Sequence, residues 1–548
     1  MTPALILALL LALFVALVLA TPQARAFIKL GFRMRQDERE DRRPGRAENP
    51  QLDAFHDAKG ATNELRTELD ERTWIDLDLD QVFSQVDYTL SRPGQQYLRH
   101  LLRTPCLHAE PIAQLNGAIT QLESEPDTET TVRAALEFTD DRRAGFLATL
   151  FYGELPDRPR YWFVFPLLTA SAIVFAALIF VWPRALLGLI AIATINICLQ
   201  LFYRPRVEAL IPAIHEIPAF FRTARMLGRL RTDLFTNERQ TLAEGFTKLK
   251  VLQSATAWLK YEPSEDANQL FASMYLYVNM LLLLDLNAFV FGLKSAKQAR
   301  PTLQRMFEAI GLIDVTQSIS AWRKTLPLWS TPTFTTAQKE IRVTGVAHPL
   351  ITNAVVNDVR ISESSALITG SNMSGKTTFI RALGLNAIFA QSLGTVIATS
   401  WHAPLLHVST SIGRSDSVLE GRSYYLAEVE SIRTLIEQKG DGAQHLFLID
   451  ELFRGTNTTE RVAGAYAVLE YLNRGNDIVV VATHDTELLG MLGSTYAPHH
   501  FREEIADGTL TFDFKLRDGQ ATTRNAIALL ELMKYPAEVV ARARDALR

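Results

Sequence analysis

Cysteine is nearly absent: the 548-residue chain holds two, Cys106 and Cys198. They stand far apart and match no metal-ligand spacing, and Cys198 sits inside an apolar run. Both read as inert core or membrane residues. A strong charge of either sign is also missing. The formal net charge is −4, so no global field draws the chain to nucleic acid, although a local basic patch stays compatible with that balance. Neither an internal repeat nor a low-complexity tract stands out.

Hydrophobic residues make up 48% of the chain and charged ones 21%. The apolar residues are clustered, as in membrane segments joined to soluble domains. Residues 4–20 form an unbroken Leu/Ala/Val run, close to the ~20 residues that cross a bilayer. A cleaved signal peptide is the rival reading, with "ARA" (Ala24 to Ala26) as its cleavage site. Against it, no Lys or Arg precedes the run, whereas Arg25, Lys29, Arg33 and Arg35 follow it. The positive-inside rule then places the N-terminus outside and the rest in the cytoplasm. A second apolar block, Trp162 to Tyr203, is interrupted at Trp182, Pro183 and Arg184. It reads as two helices in a tight hairpin, with Arg158 and Arg160 before it and Arg204 and Arg206 after it on the cytoplasmic side. A buried soluble hairpin is the alternative. The run from Met274 to Leu293 contains Asn279, Asp285 and Asn287. An Asp at mid-membrane costs at least ~2.5 kcal/mol, and one more crossing would put the C-terminal half outside. It is read as a core helix.

Residues 50–160 and 204–325 carry helical periodicity. Asp76, Asp78 and Asp80 lack the Gly and distal Glu of a calcium loop, so they are expected to mark a helix start. Pro327 and Pro332 mark a linker. From about residue 340, "SALITG", "HLFLID" and "DIVVVAT" read as short buried strands alternating with helices, the pattern of a parallel α/β sheet.

"GSNMSGKT" fits G-x-x-x-x-G-K-[ST] between a strand and a helix. The loop Gly370, Ser371, Asn372, Met373, Ser374 and Gly375 would wrap phosphates with backbone N–H groups, ahead of Lys376, Thr377 and Thr378 at the helix start. Lys376 would reach the β- and γ-phosphates of ATP, and the Thr377 hydroxyl would face Mg²⁺. Asp450 and Glu451 end the strand "LFLIDE": Asp450 suits the metal, and Glu451 suits a base or water-positioning group. His484, at another strand end, is placed to sense the γ-phosphate.

Several stretches resemble, in order, the motifs of the MutS family of ABC-type ATPases. They are "TGSNMSGKTTFIRALGLNAIFAQSLGTVIA", "SIGRSDSVLEGRSYYLAEVESI", "LIDELFRGTNTTE" and "ATHDTEL". "HPLI" and "NDV" sit where that family has elements preceding the phosphate loop. The likeness spans roughly residues 340–548. It departs at Ser371 and Ser374, where Pro and Gly are usual, and at Phe453 in the turn after Asp450. "DYTLSRPGQQYLRHLLRTP" (Asp87 to Pro105) is more weakly similar to the start of the family's core domain.

The resemblance implies a head-to-tail homodimer of ATPase domains. Ser423 would face the γ-phosphate bound by the other subunit, "RGTNTTE" would form a dimer-facing loop, and Gln391 would be the Q-loop. The expected architecture follows: an N-terminal transmembrane anchor (1–24), a linker and first helical core segment (25–160), a transmembrane hairpin (161–203), lever helices (204–330) and an α/β P-loop ATPase domain (331–548). The family's mismatch-reading Phe-x-Glu domain is not seen; an anchor and the linker "RMRQDEREDRR" (Arg33 to Arg43) stand there instead. No nuclease-like extension follows Arg548, and the hairpin occupies the insertion point of the family's DNA clamp. The expected function is a multi-pass inner-membrane ATPase with a cytoplasmic nucleotide domain, acting with lipid and an unknown protein partner. A membrane-tethered DNA-binding repair protein is the alternative. An ABC transporter fits least, because three spans offer little translocation path.

Overall fold

The computed structural model describes residues 50–60, 66–137, 147–153, 159–207, 211–250, 277–336, 339–371, 373–413, 424–440, 442–453, 456–506, 509–520 and 533–546. The expected anchor at 1–24 therefore lies outside the described residues. The chain forms two compact units. One gathers Leu52–Asp141, Thr223–Ala243 and Met306–Arg548; the other gathers Arg142–Arg222 and Glu244–Arg305. Early helical residues thus share a unit with the sheets.

The larger unit carries strands β1 (Thr333–Phe334), β2 (Glu340–Val346), β3 (Asn357–Ser362), β4 (Ser365–Thr369), β5 (Ser400–Ala403), β6 (His407–Ile412), β7 (His445–Asp450), β8 (Ile478–Ala482), β9 (Tyr496–Ala506) and β10 (Thr509–Asp518). Six form one sheet in the order β10-β9-β4-β8-β7-β6, parallel except for β10. Every residue of β4, β6, β7 and β8 is buried, as expected of strands covered on both faces. The remaining four form a second sheet, β1-β5-β2-β3. Helix Lys376–Leu393 packs against β6, β7 and β8 and also touches β2. Its buried residues lie on all sides, so propensity matters less than the core that encloses it. The expected strand–loop–helix grammar is present.

The early helices join this core. Trp74, Leu77, Leu98 and Leu101 cluster with Phe379, Leu383, Val408 and Leu448. Of the three aspartates expected to mark a helix start, Asp78 does so, preceding helix Leu79–Val86 with φ 54°. The other two have different tasks. Asp76 Oδ2 accepts from Ile412 N at 2.8 Å and from Thr410 Oγ1 at 2.9 Å, tying its helix to β6. Asp80 accepts from the Arg99 guanidinium at 2.8 Å. Helix Arg92–Arg103 begins at Ser91, whose hydroxyl accepts from Gly94 N at 3.1 Å. Buried Asp314 then accepts from Ser91 N (2.7 Å), Ser91 Oγ (2.5 Å) and Leu90 N (3.0 Å).

In the smaller unit, helices Val164–Leu178 and Ala185–Val207 flank a turn at Trp182 to Arg184, as the Pro-Arg break predicts. They approach closely: a Cβ at Gly188 would fall 2.3 Å from the Phe175 ring. Ala185–Tyr203 is 19 residues long with mean hydropathy 2.2 and is long and apolar enough to cross a membrane; Val164–Leu178 is shorter. Leu167, Val174, Leu187 and Phe202 point outward. The Met274–Leu293 run is not the single core helix expected of it. Among its described residues the helix breaks at Leu283, which takes φ 50°, and Tyr277, Val278 and Phe291 are exposed.

Candidate functional site

The loop after β4 turns back on itself at glycines. Gly370 (φ 148°) and Gly375 (φ 105°) adopt backbone that side chains rarely take, and a Cβ on Gly370 would lie 2.8 Å from Ser374 Oγ. Neither serine disturbs this loop. Ser374 is buried and its hydroxyl donates to Ser371 O at 2.8 Å, while Ser371 Oγ is buried with no hydrogen-bond partner. Met373 sits exposed at the tip with φ 81°, and Asn372 lies outside the described residues.

Beyond the loop, the N-terminal end of helix Lys376–Leu393 opens onto a cavity of about 580 Å³. It is lined by Ser371, Met373, Gly375, Lys376, Thr377, Thr378, Gly413, Asp450, Glu451, His484 and Phe514. Lys376 Nζ donates to Gly370 O (2.7 Å) and Ser371 O (2.9 Å), which holds the ammonium at the loop mouth. Thr377 Oγ1 donates to Asp450 Oδ2 at 2.5 Å. A hydroxyl and a carboxylate set side by side are oxygen donors of the kind Mg²⁺ takes. Together with the orphaned Ser371 hydroxyl and the positive-φ glycines, they fit a nucleotide with its metal.

Glu451 follows β7 with φ 62°, an uncommon conformation for a residue with a side chain and one that costs on the order of 1–3 kcal/mol. Its N–H donates to Ala482 O at 2.9 Å, anchoring that turn to the end of β8. His484 Nε2 lies 3.1 Å from Glu451 Oε1 and 3.3 Å from Lys376 Nζ. One ring nitrogen can donate to the carboxylate or accept from the ammonium, but cannot do both at once. Next to it, Arg461 holds Asp485 through two bonds of 2.7 and 2.9 Å, which raises the guanidinium's already high pKa. Burial pushes His348 of "HPLI" down to about 4, with Arg381 adding to the effect, so that imidazole is neutral at pH 7.

Two residues of the site went unread in the sequence. Gly413 ends β6 at the cavity. Phe514 stands on a bulge of β10 between Phe512 and Leu516, with φ 54°, and its exposed ring lies beside Gly375. "TFDFKL" gives no signal for it beyond an alternating strand. Its flat face at the rim suits stacking on a base, so Phe514→Ala is expected to weaken ATP binding about tenfold, in line with the ~1–3 kcal/mol of base–aromatic stacking. Fluorescent-nucleotide titration of both proteins measures this. Equal affinities would remove Phe514 from the site.

Gln391 requires a correction. It stands about 22 Å along the helix from Lys376 at ~1.5 Å per residue. Its buried amide also faces Leu406, accepting from Leu406 N (2.8 Å) and donating to Leu406 O (2.9 Å). It fixes backbone rather than touching nucleotide. Ser423, Arg454 and Gly455 lie outside the described residues. Within "RGTNTTE", Asn457 caps helix Thr458–Leu472, accepting from Glu460 N at 2.9 Å. Phe453 rests on that helix, and a Cβ on Gly464 would meet its ring at 3.2 Å.

A glycine-rich loop between a buried strand and a helix, with two carboxylates at the end of β7, which β8 separates from β4, defines a P-loop nucleotide-binding domain. Residues 366–548 match the model of "MutS domain V". Over that stretch the chain is similar to the MutS family. It is 32% identical over 264 residues to a "DNA mismatch repair protein MutS" of Petrotoga mobilis, covering 45% of this chain and 31% of that protein. With the Thermus aquaticus protein of the same name, identity is 34% over 205 residues, or 37% of this chain and 25% of the relative. The "DNA mismatch repair protein MutS 2" of Haloarcula marismortui is 34% identical over 186 residues, 33% of this chain and 19% of that one. The aligned part thus spans about a third or less of these relatives.

Proposed function

We propose that the chain is a Mg²⁺-dependent ATPase that uses nucleotide to open and close a pair of its P-loop domains, and that its apolar helices hold it in a membrane. The convergence of Lys376, Thr377, Asp450, Glu451 and His484 on one cavity carries the first half. Lys376 would hold the β- and γ-phosphates; Thr377 and Asp450 would hold the metal, which neutralises phosphate charge when bound. Glu451 would orient the attacking water and accept its proton, with His484 steering the carboxylate. Ser423 and the segment around Asn457 would complete the site of the second copy in a homodimer.

The outward-facing apolar hairpin between basic flanks supports the second half, with the sheets on the cytoplasmic side of the inner membrane and an unidentified protein as the partner. Cysteine labelling tests it in a variant without Cys106 and Cys198. In intact cells, Pro183→Cys should react with an impermeant thiol reagent. A cysteine at Asp518, whose side chain is 99% exposed, should react only after lysis. Outside labelling at 518 would overturn the topology.

The similarity to proteins named for DNA mismatch repair favours a second reading, a membrane-tethered DNA-binding protein. It requires duplex or branched DNA binding whose affinity falls steeply with salt, because phosphate contacts release counterions.

A further inference from the structure

The broken helix around Leu283 joins the hairpin through polar side chains. Thr169, on Val164–Leu178, donates its hydroxyl to Leu282 O at 2.6 Å. Asn196, fully buried on Ala185–Val207, donates its amide to Leu281 O at 2.5 Å. Asn287 donates to Leu282 O (3.2 Å), Leu283 O (3.0 Å) and Thr169 Oγ1 (2.8 Å). On the other side of the break, Asn279 accepts from Asp285 N at 3.0 Å and its amide bonds the Asp285 carboxylate. Leu281 O and Leu282 O at the break are therefore covered by side chains from the two hairpin helices. A break facing water would not require this. Within hydrocarbon, irregular backbone persists only where it is buried in protein or lines a water-filled cavity.

The outer surface agrees. Tyr277, Val278 and Phe291 are 47%, 38% and 43% exposed, while Leu283, Leu286, Phe289 and Val290 are buried. The Phe291 ring meets Trp162 at 6.1 Å, so this apolar surface continues that of the hairpin. Basic residues give the depth. Along the chain, the first basic residues before Thr169, after Asn196 and after Leu283 are Arg160, Arg204 and Lys294. At ~1.5 Å per residue they stand about 12–16 Å away, half the ~30 Å of a hydrocarbon core.

We propose that residues 277–293 are a re-entrant membrane element that reaches the mid-depth of the bilayer, turns at Leu283 and leaves on the side it entered, clasped to the hairpin by Thr169, Asn196 and Asn287. This rests on the membrane reading above and deepens it. A re-entrant element also removes the parity objection, because it adds no crossing. Its occupant is acyl chain, against Tyr277, Val278 and Phe291.

The test uses the full-length protein in inside-out membrane vesicles, in the background without native cysteines. Single cysteines replace Val174 in the hairpin and Val278 or Phe291 in the broken helix. All three are expected to resist a water-soluble maleimide and to react with an apolar, bilayer-soluble one. If 278 and 291 react with the water-soluble reagent while 174 does not, the re-entrant element is overturned and the anchored hairpin stands. Reaction at all three overturns the membrane reading itself. Pairing Thr169→Val with Asn196→Leu should raise water-soluble labelling at 291 at least tenfold, and Thr169→Ser should not. Unchanged labelling in the double variant would overturn the clasp.

Discussion

Purified Glu451→Gln protein is expected to bind ATP with near wild-type affinity and to hydrolyse it about 10²- to 10⁴-fold more slowly, the range for a positioned general base. The amide keeps the size of the side chain and one acceptor oxygen but cannot take a proton. The turn held by Glu451 N on Ala482 O stays intact, so the phosphate loop is undisturbed. Lys376→Ala should behave oppositely, because it removes the one cation held at the loop mouth by Gly370 O and Ser371 O. Its loss should appear first in nucleotide affinity. Single-turnover hydrolysis and equilibrium binding, measured on the same preparations, separate the two. Wild-type turnover in Glu451→Gln would exclude this carboxylate from the chemistry.

Stability of the larger unit is expected to fall between about pH 4 and 7 because of Asp314. Burial, partly offset by the bonds from Ser91 and Leu90, pushes its carboxyl up to about 7. A group whose folded pKa lies above its unfolded value stabilises the fold fully below the unfolded pKa, near 4. That contribution is lost as pH rises through the folded pKa. Three pH units correspond to on the order of 4 kcal/mol at ~1.4 kcal/mol per unit. Asp314→Asn retains an acceptor for Ser91 N and has no charge to bury, so its stability should be nearly flat across the same range. The place leaves little room for other substitutions: a Cβ on Gly94 would fall 2.0 Å from Asp314 Oδ2. Denaturant midpoints at pH 4.5 and 7.5 for the two proteins give the answer. Parallel pH profiles would mean that Asp314 does not titrate in this window.

The side chains of the candidate site were legible because phosphate chemistry constrains such residues locally: one loop, one helix start and one strand end hold most of the cavity's lining. The hairpin was legible for a similar reason, since a Pro-Arg break in forty apolar residues allows few alternatives. Gln391 was misplaced because a motif gives order along the chain and not distance, and one uninterrupted helix carries it away from the phosphates. The break at Leu283 left no trace in the periodicity, because leucine rarely adopts positive φ and only the surrounding Thr and Asn side chains make it tolerable. Asp76 shows a third limit. Its partners Thr410 and Ile412 lie far along the chain, and nothing local announces a carboxylate that joins a helix to a strand edge.

The helix that begins at Lys376 is fastened at its far end. Gln391 grips both backbone groups of Leu406, and its carbonyl accepts from Cys106 N at 3.0 Å. Arg323 donates to Gly394 O at 3.1 Å and to Thr395 Oγ1 at 2.9 Å. A displacement imposed on Gly375 and Lys376 by the proposed nucleotide would therefore be resisted most at the Gln391–Thr395 end, which would act as a fulcrum. Loosening that far end, rather than altering any group that lines the cavity, is then the change expected to separate hydrolysis from movement.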